Sequence, residues 1–146
     1  MDRQIILSQI YDAFYFRIIR HPEYKNIRKL LWKNFFREGK LSYVYAVAAI
    51  ELIVDRFRNG KRIVGIANAV SKEYGFIVTG NAIDRSIRAG LEKAFKRAQK
   101  EELFSRTDFE DPNHRPSAMR FLKTIARQVM ELIEAAEMIK TEQQDG

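Results

Sequence analysis

"TGNAIDRSIRAGLEKAFKRAQK", residues 79–100, is the stretch on which the reading of the fold turns. On a helix at about 100° per residue, Ile83, Ile87, Leu91, Ala94 and Ala98 fall on one face. Asn81, Arg85, Arg88, Glu92 and Lys96 fall within roughly an 80° arc on the other. Thr79 is placed to cap the helix, and Gly80 lets backbone approach closely in its first turn. One face therefore goes to a core. The other presents an amide and two guanidiniums near the N-terminal half. An arginine bonds bidentate to guanine and an asparagine to adenine, and a recognition helix carries such groups near its start. A solvated, charged helix face has the same pattern, and periodicity alone does not separate the two.

Moving outward, "IVGIANAVSKEYG" (63–75) reads as a short helix carrying Ile66, Ala67 and Val70 and ended by Gly75. The "FIV" of 76–78 is a brief strand or a packed turn. "LSYVYAVAAIELIVDRF" (41–57) is apolar nearly all round, which predicts a central buried helix with Ser42 as its cap. "RNGKR" (58–62) is a turn. Before it, a helix over 4–19 carries Ile6, Ile10, Ala13, Phe14 and Ile18, and His21-Pro22 stops it. A second helix over 23–38 puts Ile27, Leu30, Leu31, Trp32 and Phe35 on one side, with Gly39 just past its end. After residue 104 a polar loop (105–116) leads to a long helix over 117–139. Ser117 caps it, and Met119, Leu122, Ala126, Val129, Ile133 and Ala136 form its stripe. The last residues, "KTEQQDG", are expected to fray. The expected fold is all-α, about six helices around a helix-turn-helix, with residues 1–40 as a helical extension packed on a domain of 41–140.

The 146 residues suffice for one full core. With 46% hydrophobic residues the chain is globular, and without cysteine it has no disulfide and no thiolate metal site, which fits a reducing cytosol. No apolar run approaches the ~20 residues that span a bilayer, and the start has no signal-peptide cleavage pattern. The net charge of +7 favours polyanionic partners. His21 and His114, the only histidines, lack metal-ligand spacing. "NGKRIVG" lacks the pattern of a phosphate-binding loop, and Glu101-Glu102 and Glu110-Asp111 are adjacent pairs that point apart. No nucleophile has an evident base, so neither an enzyme nor a cofactor is expected. The aromatics Tyr11, Phe14, Tyr15 and Phe16 read as packing.

"LSYVYAVAAIELIVDRFRNGKRIVGIANAVSKEYGFIVTGNAIDRSIRAGLEKAF", with "RPSAMRFLKTIARQVM" after a divergent loop, resembles the C-terminal DNA-binding effector domain of the sporulation initiation response regulator of endospore-forming bacteria. The likeness spans roughly residues 40–130, and Ile83 to Arg88 is similar to the family's "VERAIR". The resemblance implies transcription regulation in the cytoplasm, with double-stranded DNA as partner and RNA polymerase as a further contact. Arg85 and Arg88 match family arginines on the DNA-facing helix, and Asp84 matches a glutamate there. The candidate base contacts are thus Asn81, Asp84, Arg85 and Arg88. The candidate phosphate contacts are Lys61, Arg62, Lys72, Thr79, Lys93 and Lys96. The family carries a further arginine where this chain has Ala82, and a phosphoacceptor receiver domain that residues 1–40 are too few and too helical to form. Phosphorylation-driven dimerisation is therefore not expected. Residues 1–38 are left to pack on the domain, to make a homodimer or to bind another protein. A protein-interaction module that keeps the fold without reading DNA is the alternative function.

Overall fold

The computed structural model describes residues 2–100 and 104–145, for residue 145 the backbone alone. Among them are six α-helices: α1 (Arg3–Ile18), α2 (Tyr24–Lys33), α3 (Leu41–Arg58), α4 (Ile66–Glu73), α5 (Gly80–Lys100) and α6 (Ala118–Asp145), with a 3-10 turn at Phe104–Arg106. No strand occurs among the described residues, only an isolated bridge between Asp111 and His114. The "FIV" of 76–78 is accordingly turn. Glu101 and Glu102 lie outside the described residues.

α3 is the axis of the bundle, because a helix apolar on every side can be stable only when surrounded. It touches all five other helices, and its residues from Tyr43 to Val54 are buried except for half-buried Leu52. One continuous core joins it to Phe14 and Ile18 of α1, Ile27 and Leu31 of α2, Ile66 and Val70 of α4, and Ile83, Ile87 and Leu91 of α5. α6 adds Phe121, Leu122, Ile125, Ala126, Val129 and Ile133. Residues 1–40 therefore share the core of the remainder.

Several boundaries depart from the expected ones. α2 ends at Lys33, not residue 38. Phe35 adopts a left-handed φ of 62°, the Phe36 N–H returns to the Leu31 carbonyl (2.9 Å) and the Phe35 N–H to that of Trp32 (3.0 Å). This is a Schellman stop with phenylalanine where glycine is usual. Asn34 locks it: buried, it donates to the Leu30 carbonyl (2.8 Å) and to Asp108 (2.7 Å). Trp32, expected on the buried side, is 61% exposed. In α1, Ile6 and Ala13 are exposed, leaving Phe14 and Ile18 as its buried pair.

α3 begins at Leu41, with Lys40 extended at the cap position and no side-chain cap, so Ser42 lies inside the first turn. α4 begins only at Ile66, after a left-handed Gly65, and Arg56 donates to the carbonyls of Arg62 and Val64 in the segment before it. It does stop as expected. Gly75, at φ 77°, supplies the left-handed residue, and the Phe76 N–H closes on the Ser71 carbonyl at 2.7 Å. α6 is capped by Ser117, whose hydroxyl accepts from the Arg120 N–H at 3.2 Å. It does not fray after 139 but runs to Asp145. Its stripe is also shifted: Ala136 is exposed and Met119 half-buried.

The 105–116 loop is less polar in its role than in its composition. Phe109 is buried and stacks on Phe121 (5.6 Å), which in turn stacks on Phe36 (6.1 Å). Asp108 accepts hydrogen bonds from Asn34, Lys33 and Gln128, and its own N–H donates to Asn34 Oδ1. Burial pushes its carboxyl up, but the three donors outweigh that and hold it below the usual range.

Candidate nucleic-acid interface

α4 and α5 pack on one another through the connection 74–79. Thr79 caps α5, its hydroxyl accepting from the Ala82 N–H at 3.2 Å. The close approach expected at Gly80 is intramolecular: the Asn68 side chain of α4 occupies the space a Cβ would need, and Gly80 is buried. The buried face of α5 is Ile83, Ile87, Leu91, Ala94, Phe95 and Ala98, so register follows from the 3.6 period.

The opposite face is open. Asn81 and Arg85 are exposed and have no hydrogen-bond or ion-pair partner among the described residues. Arg88 is different: its Nε meets the Asp84 carboxylate one turn back at 3.0 Å, both side chains about half exposed. Lys96 likewise meets Glu92 at 3.3 Å. Such exposed i,i+4 pairs are worth only ~0.3–0.5 kcal/mol, so a phosphate or a base edge can displace them at little cost.

The remaining candidates do not gather on this face. Lys61, Arg62 and Lys72 line a groove between the end of α3 and α4, together with Arg56, Asp55 and Glu73, and no α5 residue lines it. Asp55 there is engaged by His21 Nε2 at 3.1 Å. Lys93 lies in a second groove, between α5 and the α2–α3 connection, where Arg37, Lys40 and Arg97 join it. The one carboxylate in that groove, Glu38, is held by Arg28 at 2.7 Å. Four cations therefore converge beside α5 around an acid that is already paired. Arg37, Lys40 and Arg97 are absent from the sequence-based candidates. Their convergence depends on where the α2–α3 connection lies, and only the basic run "REGK" (37–40) hints at it.

Elsewhere, His114 Nδ1 meets Asp111 at 2.7 Å. No group of three or more histidine, cysteine or acidic side chains is arranged for a metal among the described residues. No described helix is long and apolar enough to cross a membrane. Comparison with protein-family models, curated proteins and solved structures gives no match.

Proposed function

We propose that this chain binds double-stranded DNA, with the N-terminal half of α5 in the major groove and the Arg37/Lys40/Lys93/Arg97 groove on the adjoining backbone. The observation that carries the reading is the open, unpartnered pair Asn81 and Arg85 on the outward face of α5. Base edges are read by such groups, whereas phosphate contacts set affinity and register. Arg85 ranks above Arg88 because Arg88 and Asp84 neutralise each other. Regulation of transcription, with RNA polymerase as a further contact, rests on the likeness to the sporulation effector domain and depends on DNA binding.

Selection of duplexes from a random pool tests this reading. Arg85→Ala is expected to lower affinity for the selected site by about 1–3 kcal/mol and to relax preference at one base pair. Lys93→Ala is expected to weaken all duplexes alike and to reduce the salt slope by about one. Absence of any binding at low salt sinks the reading. A second reading, a protein-interaction module, draws support from the tip of the α4–α5 connection, where Phe76 and Ile77 are exposed at 71% and 52%. Failure of DNA binding leaves that one standing.

A further inference from the structure

Two helix surfaces far apart in sequence have opposite character. α2 carries Lys25, Arg28, Lys29 and Lys33 and no acid. Lys25, Arg28, Lys29 and Trp32 line a shallow apolar hollow on its flank, spaced as one helical stripe. Arg28 is engaged by Glu38, while Lys25 and Lys29 form no ion pair among the described residues. Trp32 is the only tryptophan of the chain. One side of its ring is covered by the Arg37 guanidinium at 5.3 Å, and 61% of the residue faces solvent.

The end of α6 is the reverse. Every side chain from Glu134 to Gln144 is exposed, and among the described residues the one ion pair to this part of the helix is a long one, Arg58 with Glu137 at 3.9 Å. Glu134, Glu137, Met138, Thr141 and Glu142 form one stripe around a hollow of their own. Residues 131–142 hold four acids (Glu131, Glu134, Glu137, Glu142) against Lys140, in a chain whose net charge is +7. Met138 and Ile139 are exposed at 64% and 55%.

We infer that the two surfaces dock on each other between two copies of the chain: the acidic, methionine-bearing stripe of α6 on one copy lies along the lysine–tryptophan stripe of α2 on the other. Run side by side in parallel, the seven-residue step from Lys25 to Trp32 matches that from exposed Glu131 to Met138, so that Lys25 meets Glu131, Lys29 lies beside Glu134, and Met138 covers the open side of Trp32. Opposite charge selects the partner, and burial of the indole and thioether supplies affinity. When the contact forms twice about a two-fold axis, it closes into a dimer. The inference concerns α2 and α6 only, so it stands independently of DNA reading by α5.

Sedimentation of the full chain without DNA tests it, with Trp32 emission as a local probe. The expected result is a concentration-dependent dimer, weakened by salt, whose formation shifts Trp32 emission to the blue. Lys25→Glu/Lys29→Glu and, separately, Glu131→Lys/Glu134→Lys are each expected to be folded monomers. Mixing the two variants is expected to restore a dimer, because both contacts then pair opposite charges, one in the wild-type sense and one reversed. A wild-type chain that stays monomeric up to its highest soluble concentration overturns the inference. So does a dimer that survives either reversal, or one that both reversals abolish and mixing does not restore. If the α2 reversal instead removes only duplex binding and leaves the dimer, the stripe belongs to nucleic acid and the inference is wrong.

Discussion

Two corners of this bundle each hold a carboxylate largely withdrawn from solvent and a phenylalanine in left-handed backbone, and they are built on opposite principles. In the first, Asp108 accepts from Asn34, Lys33 and Gln128 and is held ionised. Phe35 beside it is half-buried against the core, and Arg97 donates to its carbonyl. In the second, between α1, α3 and α4, Glu51 is 6% exposed and its Oε2 has no partner. Burial, with Asp55 adding repulsion, pushes it up to about 9 despite the Arg17 guanidinium. It therefore holds a proton at neutral pH. Arg17 is otherwise engaged, over the Tyr74 ring at 4.1 Å and donating to the Glu73 carbonyl at 2.6 Å. Nearby Phe76 has φ 57° and is 71% exposed. The first corner spends its polar groups on holding a loop. The second leaves a polar atom and a strained backbone uncompensated, which is where conformational change costs least.

The largest effect should come from breaking the first corner. Asp108→Ala removes the acceptor for three donors, although buried Asn34 keeps the Leu30 carbonyl and the backbone N–H of residue 108 as partners. An expected loss of about 2–3 kcal/mol should appear as a lower urea midpoint with unchanged slope. A loss below 1 kcal/mol means that Asp108 is not what ties the 105–116 loop to α2. The second corner should respond with the opposite sign. Because the folded state holds the Glu51 proton more tightly than the unfolded chain, its contribution is complete below the ordinary carboxylate range and is lost as pH rises towards about 9. Glu51→Gln removes that linkage, although the amide also lacks a partner. The variant should gain roughly 2 kcal/mol over wild type at pH 8 and nothing at pH 4. Parallel stability curves from pH 4 to 8 would show that the carboxyl is hydrated and the contrast is false.

These corners also mark how far the sequence could be read. Periodicity located α5 because its apolar residues keep a 3.6 spacing from Ile83 to Ala98, and α3 because it lacks a polar side. The outward position of Asn81 and Arg85 came with it. The Arg88–Asp84 pair is local i,i+4 spacing as well, yet both residues were expected to face bases and the pairing was not read. The end of α2 was not legible. Its stop depends on a phenylalanine in a conformation that sequence rules assign to glycine, fixed by an asparagine bonded to a residue 74 positions away. The basic groove beside α5 was hidden for the same reason, since its cations come from 37–40 and 93–97. What local spacing encodes could be read, and what a distant partner imposes could not.

The two phenylalanines give the finest test of the contrast, because the same substitution should act with opposite sign. A left-handed residue with a Cβ costs about 1–2 kcal/mol, which glycine relieves, while glycine's freedom in the unfolded chain returns about 0.5–1 kcal/mol. At Phe76 the ring is mostly in solvent and little packing is lost, so Phe76→Gly should stabilise by roughly 0.5 kcal/mol. At Phe35 the half-buried ring packs against the core, and its removal forfeits about 1–2 kcal/mol of burial. Phe35→Gly should therefore destabilise by roughly 1 kcal/mol. Parallel denaturation of the two variants decides the matter. Opposite signs mean that packing compensates strain at Phe35 alone, and that the exposed ring of Phe76 is kept for something other than stability. Equal signs would mean that the two corners balance strain in the same way, whatever their carboxylates do.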